Sequence, residues 1–177
     1  MLDTYCYSGG FSINAALGGA LSVTAVDSSQ PAVTAAIRNL ELNRYQLEPQ
    51  TVKFVKADAL EFMQRAAADG TLFDLVICDP PKLAPSRSTL DRAKGKYVKI
   101  NSAALRLVRP GGLLLTCSCS AAVTQSTGLL RKLVAEAAQR AGRDVTVLSS
   151  SNAALDHPVH TAYPEGNYLT ALLCHVR

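Results

Sequence analysis

Residues Phe73 to Lys82 read FDLVICDPPK, and the fold is decided there. Leu75-Val76-Ile77-Cys78 is a short apolar run without polar alternation, the pattern of a strand buried on both faces of a parallel sheet. Pro80 and Pro81 remove two backbone donors and fix φ, so the strand ends before them and leaves Asp79 at its carboxyl tip. In open α/β sheets that edge is where ligands bind. A lone Asp before Pro starts a turn just as readily. The weight of Asp79 therefore depends on what the rest of the chain brings to the same edge.

Outward from that stretch, strands alternate with helices. Leu2–Tyr5 is the tail of a first strand, Cys6–Gly10 a flexible turn, and Phe11–Leu17 a helix stopped by Gly18 and Gly19. Leu21–Val26 is a second strand ending at Asp27. Ser28-Ser29-Gln30-Pro31 caps the next helix, with Pro31 in its first turn. Val33, Ala36, Ile37 and Leu40 give that helix a buried face. Val52–Lys56 is a third strand, and Asp58 with Glu61 resembles a capping box opening Ala59–Ala68. After the Phe73–Cys78 strand comes a basic loop and a helix through about Val108, stopped by Arg109-Pro110-Gly111-Gly112. Leu113–Ser118 is strand five. Leu129, Leu130, Leu133, Val134 and Ala137 form the stripe of the next helix, and Val145–Leu148 and Tyr168–Val176 close the sheet. This alternation predicts one doubly wound, mostly parallel α/β domain over residues 1–177.

The composition is consistent with that. Apolar residues make up 48% of the 177, which excludes a disordered chain. The cysteines (Cys6, Cys78, Cys117, Cys119 and Cys174) are odd in number and lack paired metal spacing, so reduced thiols, no metal and an intracellular setting (cytoplasm or plastid) are expected. The charge-free spans Thr4–Val26 and Pro110–Leu130 are broken by Gly, Ser, Thr or Asn and do not read as membrane helices. Met1-Leu2-Asp3 lacks a basic leader and starts inside a strand, as a domain cut from a longer protein does.

The first half of the sheet carries a recipe for an adenosine-bearing cofactor. Glycines at the Tyr7-Ser8-Gly9-Gly10-Phe11 turn let backbone N–H groups approach a ligand. Asp27, at the tip of the second strand, can accept both ribose hydroxyls, and Asp58 at the third tip can accept from an adenine amine. A nicotinamide fold would carry G-x-G-x-x-G at the turn. Ser8-Gly9-Gly10-Phe11-Ser12 does not, which favours S-adenosylmethionine, a donor without a pyrophosphate.

Five segments taken together carry a resemblance. Leu2–Ser12, Val26-Asp27-Ser28-Ser29, Asp79-Pro80-Pro81-Lys82, Thr116-Cys117-Ser118-Cys119-Ser120 and Tyr163-Pro164-Glu165-Gly166 resemble, in order, the catalytic domain of large-subunit ribosomal RNA cytosine-5 methyltransferases, in particular their plant, algal and cyanobacterial branch. The resemblance implies a class I methyltransferase sheet with an antiparallel last strand. It implies S-adenosylmethionine at Tyr7, Ser8, Gly9, Gly10 and Phe11, with Asp27, Ser28, Asp58, Ala59 and Asp79 completing the cofactor set. It further implies Cys119 as nucleophile and Asp79 facing the target base. Members of that family carry an amino-terminal RNA-binding PUA domain and a small linker domain, neither of which is expected within these 177 residues.

Chemistry agrees with such a set. Carbon 5 of cytosine is a poor nucleophile until a thiolate adds at carbon 6, so a thiol is needed at the ligand edge. Cys117 and Cys119 share strand parity and both qualify; Cys119 lies farther toward the edge where Asp79 emerges. Asp79 can hydrogen-bond the base at N3 or at the exocyclic amine, and donation to N3 requires a pKa raised by burial. Lys82 occupies the position where amine-directed methyltransferases stack an aromatic residue on the base, which argues against N6-adenine chemistry.

Between Lys82 and Lys99 six cations (Lys82, Arg87, Arg92, Lys94, Lys96 and Lys99) face one acid, Asp91, in a chain whose net charge is only +4. Positive charge is thus concentrated beside the proposed site, as an RNA-phosphate surface requires. Tyr97 within it either stacks on a base or packs. The target base must leave its stack, so single-stranded or loop ribosomal RNA is the expected partner. Asp156-His157-Pro158 and Tyr163–Gly166 are polar loop formers expected around the substrate pocket. The rival readings are a methyltransferase for another RNA atom or a small molecule, a non-catalytic cofactor- or RNA-binding module, and, more distantly, a nicotinamide oxidoreductase.

Overall fold

In the computed structural model, which describes residues 1–44, 51–163 and 166–177, strands and helices alternate from the first residues. The strands are β1 (Leu2–Thr4), β2 (Ser22–Asp27), β3 (Thr51–Lys56), β4 (Phe73–Cys78), β5 (Val108–Ser118), β6 (Val145–Ser151) and β7 (Thr170–Val176). The helices are α1 (Gly10–Leu17), α2 (Gln30–Leu42), α3 (Ala59–Ala68), α4 (Leu90–Leu107), α5 (Ala121–Thr124) and α6 (Leu129–Ala141). They form one sheet in the order β3-β2-β1-β4-β5-β7-β6. Strands β1 to β5 pair parallel, and β7 runs antiparallel to both neighbours.

The Phe73–Cys78 run lies in the centre, between β1 and β5. Val76, Ile77 and Cys78 are 0–3% exposed because helices cover both faces. Residues alternate between two cores. Leu2, Val26, Val76 and Leu114 join the core shared with α3, α4 and α6, while Met1, Val23 and Ile77 join the one under α1 and α2. The order reverses between β1 and β4, so their carboxyl ends form the topological switch point.

Two local expectations are corrected. On α2 the buried residues are Ala32, Val33 and Ala36, and Ile37 is exposed, so the apolar stripe is narrower than the spacing implied. Strand β5 begins at Val108, not Leu113: Val108 pairs with Phe73 before residues 109–112 loop out and Leu113 rejoins at Leu75. Gly112 is required in that loop, since a Cβ there would lie 2.8 Å from the Asp74 carbonyl oxygen. Asp58 does cap α3, accepting from the Glu61 N–H at 2.9 Å. Of the Tyr163–Gly166 motif, Pro164 and Glu165 lie outside the described residues. Among those described, no helix is long and apolar enough to cross a membrane.

Candidate active site

A cleft of about 490 Å³ opens at the switch point, lined by Tyr5, Cys6, Tyr7, Ser8, Gly10, Phe11, Asn14 and Asp79. Its volume lies within the range of small-ligand sites. The β1–α1 turn that builds it is strained. Tyr5 and Tyr7 have φ of 64° and 47°, a region that bulky side chains avoid. Neighbouring elements hold them there: Cys6 N–H donates to the Val26 carbonyl at 3.0 Å, Tyr7 N–H to Asp27 Oδ2 at 2.9 Å, and Asn39 Nδ2 to the Ser8 carbonyl at 3.0 Å. Gly9, at φ 82°, caps α1 with its Cα against Phe54 and Ala36, where a Cβ would come within 3.1–3.2 Å.

The sequence-derived cofactor set is therefore split. Tyr7, Ser8, Gly10, Phe11 and Asp79 line the cleft, with Gly9 behind them. Asp27 braces the turn, its other oxygen accepting from Ser29 N–H at 2.8 Å, and its remaining lone pairs stay available to a ligand. Ser28, Asp58 and Ala59 sit at or beyond successive strand tips, outside the cleft lining, and Ala59 is buried.

Sequence reasoning passed over Asp3. It is 1% exposed, accepts from Ser12 Oγ at 2.5 Å, and leaves Oδ1 without a partner. Burial, with Asp79 and Asp27 nearby, raises its pKa to about 6. An acid inside the first strand was visible in the sequence, but its burial against Ser12 and the positive φ of Tyr5 and Tyr7 were not.

The thiol side is built from β4, β5 and α4. Register sets Thr4, Cys78, Thr116 and Leu172 side by side across the sheet, so Asp79 emerges level with Cys117. Strand β5 stops at Ser118, and strand parity therefore does not extend to Cys119. Cys117 is buried, whereas Cys119 is partly exposed with Sγ 3.9 Å from the Pro80 carbonyl oxygen. Burial and the Asp79 carboxylate push the Cys119 thiol up; Lys82, close enough to act through its charge, pulls it down. Burial likewise raises Asp79.

Cys119 is flanked by pinned serines. The fully buried Tyr97 places Oη 2.8 Å from Ser118 Oγ and 3.1 Å from Ser120 Oγ, and Ser120 Oγ also accepts from Ala84 N–H at 3.1 Å. One tyrosine of α4 thereby ties the segment after Asp79 to the segment holding Cys119. Tyr97 packs and does not stack on RNA; its place among basic residues concealed this.

The basic stretch divides between a loop and a helix. Lys82 and Arg87 are exposed at the carboxyl edge, and Arg92, Lys96 and Lys99 follow on one exposed stripe of α4 at i, i+4, i+7. Lys94 points elsewhere and pairs with Asp91 at 2.7 Å. Lys99 lies about 13 Å down the axis from Leu90, so the stripe leads away from the edge.

Comparison with known proteins agrees with this geometry. The family described as "Methyltransferase domain" matches residues 1–161. The chain is 42% identical over 176 residues to ribosomal RNA large subunit methyltransferase I of Cronobacter sakazakii and 44% identical over 177 residues to that of Aeromonas hydrophila. It covers 99–100% of itself in these matches and 43–44% of the relatives, and so spans less than half their length. The SAM-dependent methyltransferase of Agrobacterium tumefaciens superposes with a TM-score of 0.68 at 25% identity, over 98% of this chain and 54% of that one. NSun6 of Pyrococcus horikoshii shares the fold at a TM-score of 0.65 and 16% identity, over 99% and 46%. The cofactor is S-adenosylmethionine, and the switch-point cleft, with its aromatic wall and available carboxylates, suits an adenosine carrying a positively charged amino-acid tail. A doubly wound sheet, a braced glycine turn and an acid-proline-proline strand end are all in their expected places, and the chain belongs to the methyltransferase-domain family.

Proposed function

We propose that this domain forms 5-methylcytosine in large-subunit ribosomal RNA through a covalent Cys119 adduct. The observation that carries the reading is the meeting of Cys119 and Asp79 at the carboxyl edge beside the cofactor cleft. The names of the relatives, ribosomal RNA large subunit methyltransferases, support the substrate class, and the sequence motifs alone support the photosynthetic branch.

Lys82 and Asp79 prepare the site. The Lys82 ammonium favours the Cys119 thiolate. The thiolate forms a bond to carbon 6 of cytosine while the ring's electron pair moves toward carbon 5. Asp79, its pKa raised by burial, donates to N3 and holds that charge. S-adenosylmethionine, when bound, would supply the methyl group that carbon 5 takes up, its sulfonium sulfur keeping the electron pair of the broken carbon–sulfur bond. Loss of the carbon-5 proton then re-forms the ring double bond and breaks the carbon 6–sulfur bond, returning Cys119. Tyr97, through Ser118 and Ser120, keeps the sulfur at its station.

The test is incubation with ribosomal RNA and isotopically labelled S-adenosylmethionine, followed by nucleoside mass spectrometry. Label in 5-methylcytidine is expected. Label confined to any other nucleoside contradicts the reading and points to a methyltransferase of different target.

A further inference from the structure

A second cleft, about 440 Å³, lies on the same sheet edge but on the far side of Cys119. It is formed by α5, the start of α6 and the facing ends of β6 and β7, and the function proposed above leaves it unused. Only five positions separate Cys119 from Thr124 in its wall, a connection that spans at most about 17 Å fully extended and less when wound into α5. Strand β5 stands between this cleft and the cofactor cleft.

The lining is polar and, among the described residues, free of acids. Three of its hydroxyls are fixed. Thr170 Oγ1 donates to Thr124 Oγ1 at 2.9 Å, Thr124 Oγ1 donates to the Tyr168 carbonyl at 2.9 Å, and Ser126 Oγ donates to the Ala122 carbonyl at 2.7 Å. Each of these three hydroxyls has one proton and has committed it, so what remains of them toward the cleft is acceptor capacity. Donors come from Asn152, Asn167 and above all Arg131, which makes no ion pair among the described residues. Leu129, half-buried at the start of α6, adds an apolar wall.

A ligand that fits must offer both an anion and hydroxyl donors, with a flat apolar portion. The ribose-phosphate unit of RNA does: phosphate to Arg131, the 2′-hydroxyl to the Thr170 or Ser126 acceptors, a base face to the apolar wall. We propose that this cleft is a nucleotide subsite for a residue adjacent to the target cytosine in single-stranded RNA. The proposal deepens the RNA-methylation reading and rests on it. An RNA strand crossing the carboxyl edge presents the target at Cys119 and seats its neighbour beyond α5.

The test measures binding of the 177-residue chain to a single-stranded ribosomal RNA oligonucleotide and to its 2′-deoxy counterpart across a salt series. Wild type, Arg131→Ala, Arg131→Lys and Thr170→Val are compared, with thermal midpoint and S-adenosylmethionine affinity recorded for each to confirm folding. Arg131→Ala is expected to weaken RNA binding at least about fivefold and to lower the salt slope by about one, and Arg131→Lys to restore the slope. Thr170→Val is expected to cut the preference for RNA over DNA at least about threefold. Absence of RNA binding by wild type, or affinity and preference unchanged in both Arg131→Ala and Thr170→Val, overturns the subsite. Methylation is scored separately. Binding that depends on Arg131 without 5-methylcytosine keeps the subsite and removes the cytosine reading; 5-methylcytosine formed with binding indifferent to both positions does the reverse.

Discussion

Cys119 Sγ lies 3.9 Å from the carbonyl oxygen of Pro80, the residue that follows Asp79. Thiol and carboxyl therefore share one small volume where β4 and β5 end, and the charge of Asp79 raises the cost of charging the thiol. Burial and Asp79 hold the thiol above its ordinary 9.0, while Lys82 opposes them. The rate of adduct formation should be bell-shaped in pH, since the attacking thiolate is gained and the Asp79 proton is lost as pH rises. Replacing Lys82 by Met should lower the rate near neutrality, because the thiolate loses the cation that favours it. A pH–rate profile of single-turnover methylation reads both effects.

Asp79→Asn keeps the size of the side chain and removes its proton. Methylation should fall by about 10²-fold or more, the span of a lost general acid, with S-adenosylmethionine binding changed little. Single-turnover rates and calorimetric titration separate the two; a rate within a few-fold of wild type removes Asp79 from the chemistry.

Asp3 should imprint a pH dependence on stability. Its folded pKa of about 6 exceeds the model-compound value of 3.8, so between these values the native state holds a proton that the unfolded chain has released. The stability attached to that proton is present below about pH 4 and is lost as pH rises through 6, amounting to about 3 kcal/mol. Asp3→Asn, which can still accept from Ser12, should flatten this decline and unfold at higher urea concentration than wild type at pH 7. Urea midpoints at pH 4.5 and 7 give the comparison.

Tyr97→Phe leaves the Ser118 and Ser120 hydroxyls short of a partner in a dry interior. Stability should drop by about 1–3 kcal/mol. A purely structural tyrosine would stop there. A positioning one lowers kcat as well, with KM for S-adenosylmethionine unchanged, at a temperature where the variant is fully folded.

Phe73–Cys78 could be read from sequence because burial on both faces removes all polar alternation and the two prolines fix the end. Asp58 and Ser29 were legible as helix caps for the same reason: the signal lies within three or four residues of its effect. Tyr97 and Asp3 were not. What makes them special is a partner far along the chain, Ser118 for Tyr97 and the turn folding back over β1 for Asp3, and periodicity carries no trace of such a partner. The cleft around Arg131 was hidden similarly, since its walls come from α5, α6, β6 and β7. The choice between Cys117 and Cys119 rested on distance along a strand, and the parity assumed for it ends at Ser118.

The most direct test of the account uses ribosomal RNA containing 5-fluorocytosine with S-adenosylmethionine, because fluorine cannot leave carbon 5 as a proton does and an intermediate stays attached. Wild type and Cys117→Ser should each yield a denaturation-resistant protein–RNA adduct, with Cys117→Ser less stable by about 1–3 kcal/mol because it buries a hydroxyl. Cys119→Ser should fold normally and yield none. An adduct that survives Cys119→Ser and disappears in Cys117→Ser would contradict the assignment of the nucleophile, and 5-methylcytosine formed by Cys119→Ser at the wild-type rate would contradict the covalent mechanism itself.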